Sequence, residues 1–426
     1  MAFRFVHAAD IHLDSPLRSL ALRDADLAAL IGNATREAFT GIVQLCLDEG
    51  VDALLLAGDL YDGEQTSMKT ARFLSAQIRR LHEAGIRVFI IRGNHDALSR
   101  ITREFTFPDS VTVFSGRAEA IAIPDGARPI VIHGLSFAQP SAPDSLLPKY
   151  KQPVEGAVNI GLMHTSLDGS PGHDAYAPCR LVDLQRSGFR YWALGHIHSR
   201  RVFEGACAVV MPGMPQGRDI NEAGAKSASL VTVHDDGRIE IEERFTHIAR
   251  FERVGVDIGG IEDWRAIPAA IGSALERLRA DLTSTHAIAR LRLEGATPLH
   301  WRVRRDADLL HEQAAEAASV RGRTWIEGIE VACTAPMAER ARGDAREDGA
   351  PLAELRRLID ADILSGAGFS SEIEAIASAL RAQLPGECRA LFGTDEAAFT
   401  GCIADLAREG VEDVLARLLT RTTGEA

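Results

Sequence analysis

The sequence lacks any long apolar run. No segment approaches the roughly 18 unbroken apolar residues that a membrane helix requires, and the first ten residues mix Arg4 and His7 into an apolar stretch, unlike a secretion signal. The sequence therefore predicts a cytoplasmic protein that does not enter a membrane. With 426 residues, of which 46% are hydrophobic and 25% charged, it has enough apolar material for two or three globular domains.

Closely spaced cysteine pairs are also absent. The six cysteines are scattered with no CxxC pattern, so neither a disulfide framework nor a zinc ribbon is indicated. Buried or idle thiols are the simpler interpretation. The sequence also contains no internal repeat and no low-complexity tract.

A surplus of positive charge is missing as well. The formal charge is -13, whereas a protein that attracts nucleic acid over its whole surface is basic. Part of the excess lies late in the sequence, since residues 339–426 hold 17 acidic residues, 10 arginines and no lysine. Carboxylates that bind metal ions also count as negative until the ions neutralise them. Net charge therefore disfavours nucleic acid as a partner only weakly.

Up to about residue 245, short apolar runs alternate with amphipathic segments, which is typical of an α/β layered domain. Helices are predicted at Ala34–Asp48 and Thr66–Ala84, each closed by a glycine. A hairpin is predicted over Ser229–Phe245. The predicted strands are Phe3–Ala8, Ala53–Ala57, Arg87–Ile91, Ile130–Ile132, Val158–Met163, Tyr191–Leu194 and Ala208–Met211.

A second α/β pattern follows, and the sequence then becomes helical. We divide it into an α/β domain at 1–248, a small α/β domain at 249–337, a linker at 338–350 and a helical tail at 351–426. The tail helices are predicted at Leu352–Leu364, Ser371–Leu384 and Ala397–Leu419. Short helices on a tether bury their apolar face on a partner or on the rest of the chain, and the sequence leaves both open.

Five short polar clusters stand where predicted strands end. They are Asp10-Ile-His12, Gly58-Asp-Leu-Tyr-Asp62, Gly93-Asn-His-Asp96, Met163-His164 and Gly195-His-Ile-His198. Because the carboxyl ends of strands from separate βαβ units meet at one edge of a sheet, we expect the five clusters in one cleft. Each cluster alone is more often an incidental turn or surface pair, so the argument depends on all five occurring in this order.

The chemistry of these clusters indicates metal binding. Carboxylate, imidazole and amide groups without thiolate suit Mn²⁺, Fe or Zn²⁺. Asp10 and His12, two residues apart in an extended segment, project to the same side and can hold one ion together. One cation needs about three or four protein ligands when water fills the remaining positions, so the roughly seven donors here indicate two ions.

With these motifs the sequence resembles the calcineurin-like metallophosphoesterase superfamily, whose motifs run DxH, GDxxD, GNH[DE], H and GHxH. The stretches His7–Pro16, Gly58–Glu64 and Pro212–Arg218 are similar to the SbcD/YhaO type of DNA repair exonuclease. The resemblance implies an α/β fold, a metallophosphoesterase β-sandwich flanked by helices. It further implies a small α/β capping domain that binds DNA and a helical tail that binds an SbcC-like ATPase, and it allows a homodimer.

The resemblance also assigns roles to single residues. It implies two divalent metal ions, Mn²⁺ in the first place with Fe or Zn as alternatives. His95 matches the catalytic histidine of the family, and Asp62 would orient its ring. The implied ligands are Asp10, His12, Asp59 and His198 for one ion, and Asp59, Asn94, His164 and His196 for the other, so that Asp59 bridges both.

Several basic residues beside the motifs are candidates for holding a nucleic-acid backbone. They are Arg92, Arg200, Arg201, Arg218 and Lys226. Solvated surface arginines are the ordinary case. We expect DNA contacts first from Arg218, which belongs to the family-like stretch, and then from Arg92 and Arg200.

The implied function is metal-dependent hydrolysis of DNA phosphodiester bonds, as an exonuclease and endonuclease in DNA repair with an SbcC-like ATPase. An alternative is a phosphodiesterase or phosphatase acting on small nucleotides or phosphoproteins, since fold does not fix substrate. A third hypothesis is a catalytically silent scaffold, which the intact ligand set disfavours.

Overall fold

The computed structural model describes most of the chain: residues 2–15, 25–61, 67–97, 107–123, 128–139, 142–168, 176–282, 285–336, 350–384, 389, 392–393 and 395–418. The chain divides into two units, Met1–Glu252 with Ser284–Ile288, and Arg253–Thr283 with Ala289–Ala426. The linker expected at 338–350 lies almost wholly outside the described residues. The four-part division of the sequence stays a prediction.

The first unit contains twelve strands and three α-helices among its described residues. The strands are β1 (Phe3–Ala8), β2 (Ala53–Ala57), β3 (Arg87–Ile91), β4 (Val111–Val113), β5 (Glu119–Ile123), β6 (Ile130–Gly134), β7 (Val158–His164), β8 (Tyr191–Gly195), β9 (Arg201–Phe203), β10 (Ala208–Met211), β11 (Ser227–Val233) and β12 (Ile239–Phe245). The helices are α1 (Ala25–Asp48), α2 (Met68–Glu83) and α3 (Leu181–Gln185), with short 3₁₀ helices at Leu147–Lys149 and Ile220–Glu222.

These strands form two six-stranded sheets, ordered β12-β11-β1-β2-β3-β4 and β5-β6-β7-β8-β10-β9. Strands β1 to β4 pair in parallel, and so do β6, β7, β8 and β10. The carboxyl ends of the parallel strands in each sheet therefore share one edge. The predicted strands of this unit are all present, and the fold class, a β-sandwich flanked by helices, is confirmed.

The strands of the first sheet are buried on both faces. Phe5 and Leu55 lie in the core between the two sheets, whereas Leu54 and Leu56 lie in a second core under helices α1 and α2. A third core, which includes Trp192, covers the outer face of the second sheet. Burial of both faces explains why these strands are almost continuously apolar in sequence.

Helix α1 begins earlier than the sequence predicted. It starts at Ala25 and not at Ala34, so the predicted boundary was wrong. Gly32 is a poor helix former and interrupts the apolar pattern in sequence. Leu27 and Ile31 nevertheless continue the buried face at four-residue spacing, and tertiary packing of that face outweighs the low local propensity.

The second unit is built on a sheet ordered β13-β14-β15, whose strands are β13 (Ala249–Asp257), β14 (His286–Glu294) and β15 (Thr324–Val331). Its described helices are α4 (Ala266–Asp281), α5 (His300–Arg305), α6 (Ala307–Val320), α7 (Ala350–Leu358), which continues as a π-helical segment at Ile359–Leu364, α8 (Ala367–Gln383) and α9 (Glu396–Leu418). The core joins Ile271 and Leu275 of α4 to Leu291 of β14 and Leu310 of α6.

The three predicted tail segments are helical, and α9 packs on α5 within the second unit. Arg304 of α5 lies 3.5 Å from Asp413 of α9, and it also donates to the Val331 carbonyl. The tail still exposes large apolar side chains, namely Leu358, Ile363, Ile376, Leu380, Leu406 and Val414. Among the described helices, none combines the length and the apolar character needed to cross a bilayer.

Gly161 of β7 provides a direct test of the packing on the second sheet. It is the register partner of Trp192 on β8, and a Cβ atom at Gly161 would lie 2.2 Å from the buried indole. We expect Gly161→Ala to lower the free energy of unfolding by about 1–3 kcal/mol, since the indole must shift in a packed core. Urea denaturation measures this change.

The matched control is Gly41→Ala on the exposed side of helix α1, where a Cβ atom would meet nothing within 4 Å. That variant should gain up to about 1 kcal/mol from helix propensity. Equal stability of the Gly161 variant and the parent protein would contradict the described packing.

Candidate metal centre

The structure brings the seven predicted metal ligands together in the first unit. All of them lie at or just after the carboxyl end of a parallel strand. Asp10 and His12 follow β1, Asp59 follows β2, Asn94 follows β3, His164 ends β7, and His196 and His198 follow β8. The strand topology therefore assembles in one place residues that are far apart in the sequence.

The side chains form two groups. In the first group, donor atoms of Asp10, His12 and His198 all lie within 4.8 Å of one another. In the second group, the same holds for Asp59, His164 and His196. The structure thus groups six of the seven predicted donors into two sets, and Asp59, which was expected to serve both ions, belongs to the second set.

His164 shows how the second group is organised. Its Nδ1 donates to the carbonyl oxygen of Ala57 at 2.9 Å. Its Nε2 then faces Asp59 Oδ2 at 3.2 Å and Asn94 Oδ1 at 3.0 Å. An imidazole nitrogen that faces two oxygen acceptors needs a positive group between them, and either a cation or an added proton provides it.

The first group has a similar arrangement around His198. Its Nε2 lies 3.3 Å from His12 Nε2, while its Nδ1 lies 2.8 Å from the carboxylate of Glu222. Both oxygens of Asp10 accept the backbone N–H of His196 at 3.0 Å, and this contact links the two groups.

Burial and charge together shape the electrostatics of the centre. Asp10, Asp59 and His164 are almost completely buried. Burial raises the pKa of Asp10 to about 6 because its anion loses solvation. Burial opposes the charge of His164, but neighbouring Asp59 raises the pKa of its imidazole to about 9. The same contacts hold the pKa of Asp59 well below its usual range against the effect of burial. The centre therefore stabilises positive charge, which is what a cation requires.

Glycines leave the space that the donors need. A Cβ atom at Gly93 would lie 2.2 Å from Asp59 Oδ1, and one at Gly58 would lie 2.5 Å from His164 Nδ1. Gly58 also has a positive φ of 94°. Together with a nitrogen and oxygen donor set, this space fits a divalent cation of the Mn²⁺, Fe or Zn²⁺ type.

Several ligands have left-handed backbone angles. The φ angles are 53° at Asp10, 45° at His12, 53° at Asp59 and 99° at His196. Such conformations cost about 1–3 kcal/mol each for residues other than glycine and cluster at functional sites. Backbone hydrogen bonds from Asp10 to Gly58 and from His12 to Asp59, at 3.0 and 3.1 Å, hold the two loops in register.

The predicted catalytic histidine lies beside the donors. The ring of His95 is 5.1 Å from that of His12, and its backbone N–H donates to Asp59 Oδ1 at 3.0 Å. The side chain is half-buried, in contrast to most of the ligands. Asp62, its predicted partner, lies outside the described residues.

Three residues near the centre were not assigned a role as ligands. Asp96, which the sequence indicated as a supporting hydrogen-bond partner or turn residue, accepts the N–H of Leu60 at 3.0 Å, and burial raises its pKa to about 8. Sequence reasoning missed Glu222 and Tyr176, whose ring lies 5.1 Å from that of His196. No local pattern marks either residue, since both reach the centre only through the tertiary fold.

The three arginines expected to contact DNA have different surroundings. Arg218 forms an ion pair with Glu222 at 2.7 Å. Arg200 donates to Ser229 Oγ at 2.8 Å and lies 3.6 Å from Glu243. Arg92, directly before Gly93, is half-buried, and the described part of the chain offers it no ion pair. These contacts leave DNA binding by the three arginines a prediction.

Comparison with known proteins identifies the family. Residues 3–200 match the family described as calcineurin-like phosphoesterase, and residues 251–334 match the middle domain of metallophosphoesterase YhaO. The metallophosphoesterase YhaO of Bacillus subtilis (strain 168) is 35% identical over 297 residues, which cover 69% of this chain and 72% of that protein.

More distant matches include a DNA double-strand break repair protein Mre11 of Sulfurisphaera tokodaii, 27% identical over 220 residues, or 50% of this chain and 54% of that protein. This chain thus spans about half the length of that Mre11 protein. A solved dimetal phosphatase from Danio rerio matches with a TM-score of 0.33 and 14% identity, covering 57% of this chain and 98% of the other. From its two family matches and its similarity to YhaO, the chain belongs to the calcineurin-like metallophosphoesterase family of metal-dependent phosphoester hydrolases and carries the YhaO middle domain.

Proposed function

We propose that this protein hydrolyses DNA phosphodiester bonds with two divalent metal ions, Mn²⁺ by preference, as the nuclease subunit of a cytoplasmic DNA repair complex with an SbcC-like ATPase. The observation that carries the proposal is the pair of donor groups around Asp10 and Asp59, with His95 beside them. The similarity to Mre11 proteins, which are named for DNA double-strand break repair, supports DNA as the substrate.

The donor groups indicate how the ions are held. Asp10, His12 and His198 would hold one ion, His164, His196 and Asn94 would hold the other, and Asp59 would serve both. The chemistry that two divalent cations supply in such a centre is polarisation of the phosphoryl oxygens and activation of a water molecule as the nucleophile. Burial of the ligands lowers the local dielectric and strengthens these interactions.

His95 is suited to act on the leaving group. Its backbone N–H is tied to Asp59, while its imidazole is half-buried and therefore reachable by substrate. In the proposed reaction the imidazole donates a proton to the departing oxygen or stabilises the charge that develops there, and Asp62 orients the ring.

Domains beyond the metal centre complete the proposal. Residues 249–337 would bind DNA as a capping domain, and residues 351–426 would bind the ATPase. Exposed Ile376 and Leu380 of α8 stand four residues apart, the spacing by which an amphipathic helix docks on a partner. A homodimer belongs to the same proposal.

The main alternative is hydrolysis of small nucleotides or phosphoproteins, since the metal centre would be common to both functions. One assay separates them. The purified protein is incubated with Mn²⁺ and single-stranded, duplex or hairpin oligonucleotides, and in parallel with bis(p-nitrophenyl) phosphate. Cleavage of the small diester but of no oligonucleotide, with or without an ATPase, would favour the alternative.

For the nuclease we expect oligonucleotide cleavage that Asp59→Asn reduces by more than about 100-fold, because the variant loses the shared anionic ligand. Asp183→Asn is the matched control, since that carboxylate pairs with Arg180 at the surface. The control should cleave like the parent protein. An Asp59→Asn protein with parental activity would exclude the metal centre as the active site.

His95→Ala should keep both ions and lose turnover by about 100- to 10,000-fold, the usual contribution of a positioned acid or base. Bound manganese is measured by elemental analysis and turnover by the oligonucleotide assay. His82→Ala, which removes an exposed imidazole from helix α2, serves as control and should change neither quantity. Loss of manganese together with turnover would show that His95 is a ligand.

Arg92→Gln should weaken DNA binding and lower the slope of log affinity against log salt by about 1, as loss of one phosphate contact does. Arg238→Gln is the control, because Arg238 lies on the β11–β12 turn and pairs there with Glu240. Fluorescence anisotropy at several salt concentrations measures both variants. An unchanged slope would remove Arg92 from the DNA-binding surface.

A further inference from the structure

Glu222 lies directly behind one of the metal-ligand candidates. It ends the 3₁₀ helix Ile220–Glu222, and its carboxylate Oε1 lies 2.8 Å from Nδ1 of His198. Only 11% of its side chain is exposed. The contact joins residues 24 positions apart in the sequence and lies on the side of the ring away from the other donors.

This contact determines the state of the imidazole. An ionised carboxylate only accepts hydrogen bonds, so Nδ1 of His198 carries the hydrogen and donates it to Glu222. The lone pair of the ring is then on Nε2, which faces His12 Nε2 at 3.3 Å. Glu222 thereby fixes both the tautomer and the plane of His198.

Arg218 holds Glu222 in place. Its backbone N–H donates to Glu222 Oε2 at 2.8 Å, its Nη2 lies 2.7 Å from Oε1, and its Nε lies 3.2 Å from both oxygens. Its Nη1 also reaches Ser15 Oγ at 3.4 Å, just beyond the Asp10–His12 loop. The guanidinium therefore neutralises the buried carboxylate and fixes its orientation.

The local backbone makes this arrangement rigid. Asp219 accepts the N–H of Asn221 at 2.7 Å and caps the short helix. A Cβ atom at Gly217 would lie 2.8 Å from the Glu222 carbonyl, so the turn that leads into the helix has no room for another residue type. Glu222 is accordingly held at His198 by the main chain as well as by Arg218.

The second donor group has a different support. Nδ1 of His164 donates to the neutral carbonyl of Ala57, not to a carboxylate. An anionic acceptor increases the basicity of a ligating imidazole more than a neutral one does. The two groups therefore differ in a way that metal affinity can reveal.

We propose that Glu222 is a positioning residue which orients His198 for the first ion, and that Arg218 acts through Glu222 on that ion and does not hold DNA. The inference rests on the proposed two-metal function. It assigns Arg218 to the support of the metal centre. Arg218 neutralises Glu222, and Glu222 orients His198. This series of contacts, called the relay below, supports one ion and not the other.

Manganese binding to the full chain tests the relay. Isothermal titration should find two sites in the parent protein. In Glu222→Gln one site should weaken about 10- to 100-fold, the usual effect of removing such a support, while the other keeps its affinity. Glu240→Gln is the matched control, because Glu240 accepts from His234 at 3.1 Å at the surface and should leave both sites unchanged.

Nitrogen NMR of the histidine rings gives a readout that does not involve activity. The metal-free parent should show His198 with hydrogen on Nδ1, and Glu222→Gln should mix its tautomers. Arg218→Gln should weaken the same manganese site by a smaller factor. In a His95→Ala background, which prevents cleavage, it should leave the salt slope of DNA binding unchanged at saturating Mn²⁺.

The outcomes are distinguishable. If Glu222→Gln binds manganese at both sites with parental affinity, the relay is overturned and the two-metal function stands. The same conclusion follows if a folded Glu222→Gln protein loses affinity equally at both sites. A parent protein that binds no manganese would overturn the proposed function and the relay with it. If Glu222→Gln does not fold, Arg218→Gln decides, and a changed salt slope there would return Arg218 to the DNA surface.

Discussion

The carbonyl oxygen of Ala57, at the end of β2, is a point of close contact between the two sheets of the first unit. It accepts the Nδ1–H of His164 from the second sheet, and a Cβ atom at Gly195 would lie only 2.1 Å from it. Strand β2 leads into Asp59 and β8 leads through Gly195 into His196. This close contact therefore joins the donors of one sheet to those of the other, and a side chain at Gly195 would force them apart.

The cluster of donor side chains that this contact brings together is costly for the folded protein in the absence of a metal ion. Two carboxylates, Asp10 and Asp59, are buried close to the four imidazoles of the donor groups, and burial raises the pKa of Asp10 to about 6. Left-handed backbone at both aspartates adds about 1–3 kcal/mol of strain each. A bound cation would offset the electrostatic cost, since it would stabilise both anions together. Packing of the three hydrophobic cores offsets the backbone strain, because it fixes the strand ends from which the loops depart.

The sequence predicted the central strands of the first unit well, for a physical reason, whereas their arrangement as a sandwich was implied by the family resemblance. Strands such as Ala53–Ala57 are apolar on both faces because they lie between a helix layer and a second sheet, so they are recognisable in the sequence as short, continuous apolar runs. The polar clusters that follow them were predicted to converge because parallel strands share an edge. The prediction was weakest where packing overrides local preference, as at Gly32 inside α1, and it missed short edge strands such as Arg201–Phe203, whose side chains are mostly exposed.

What the sequence could not provide is the partner of each charge. Arg92, Arg200 and Arg218 carry the same charge, and the sequence placed Arg218 first only because it belongs to the stretch Pro212–Arg218 that is similar to the family. The fold separates them, since Arg218 faces a buried carboxylate while Arg200 faces a serine and a half-exposed glutamate. An arginine that neutralises a buried anion is not available to bind a phosphate, because moving away would leave the buried anion without a counter-charge, which is energetically costly. The role that we propose for Arg218 therefore depends on Glu222, a residue that no motif marks.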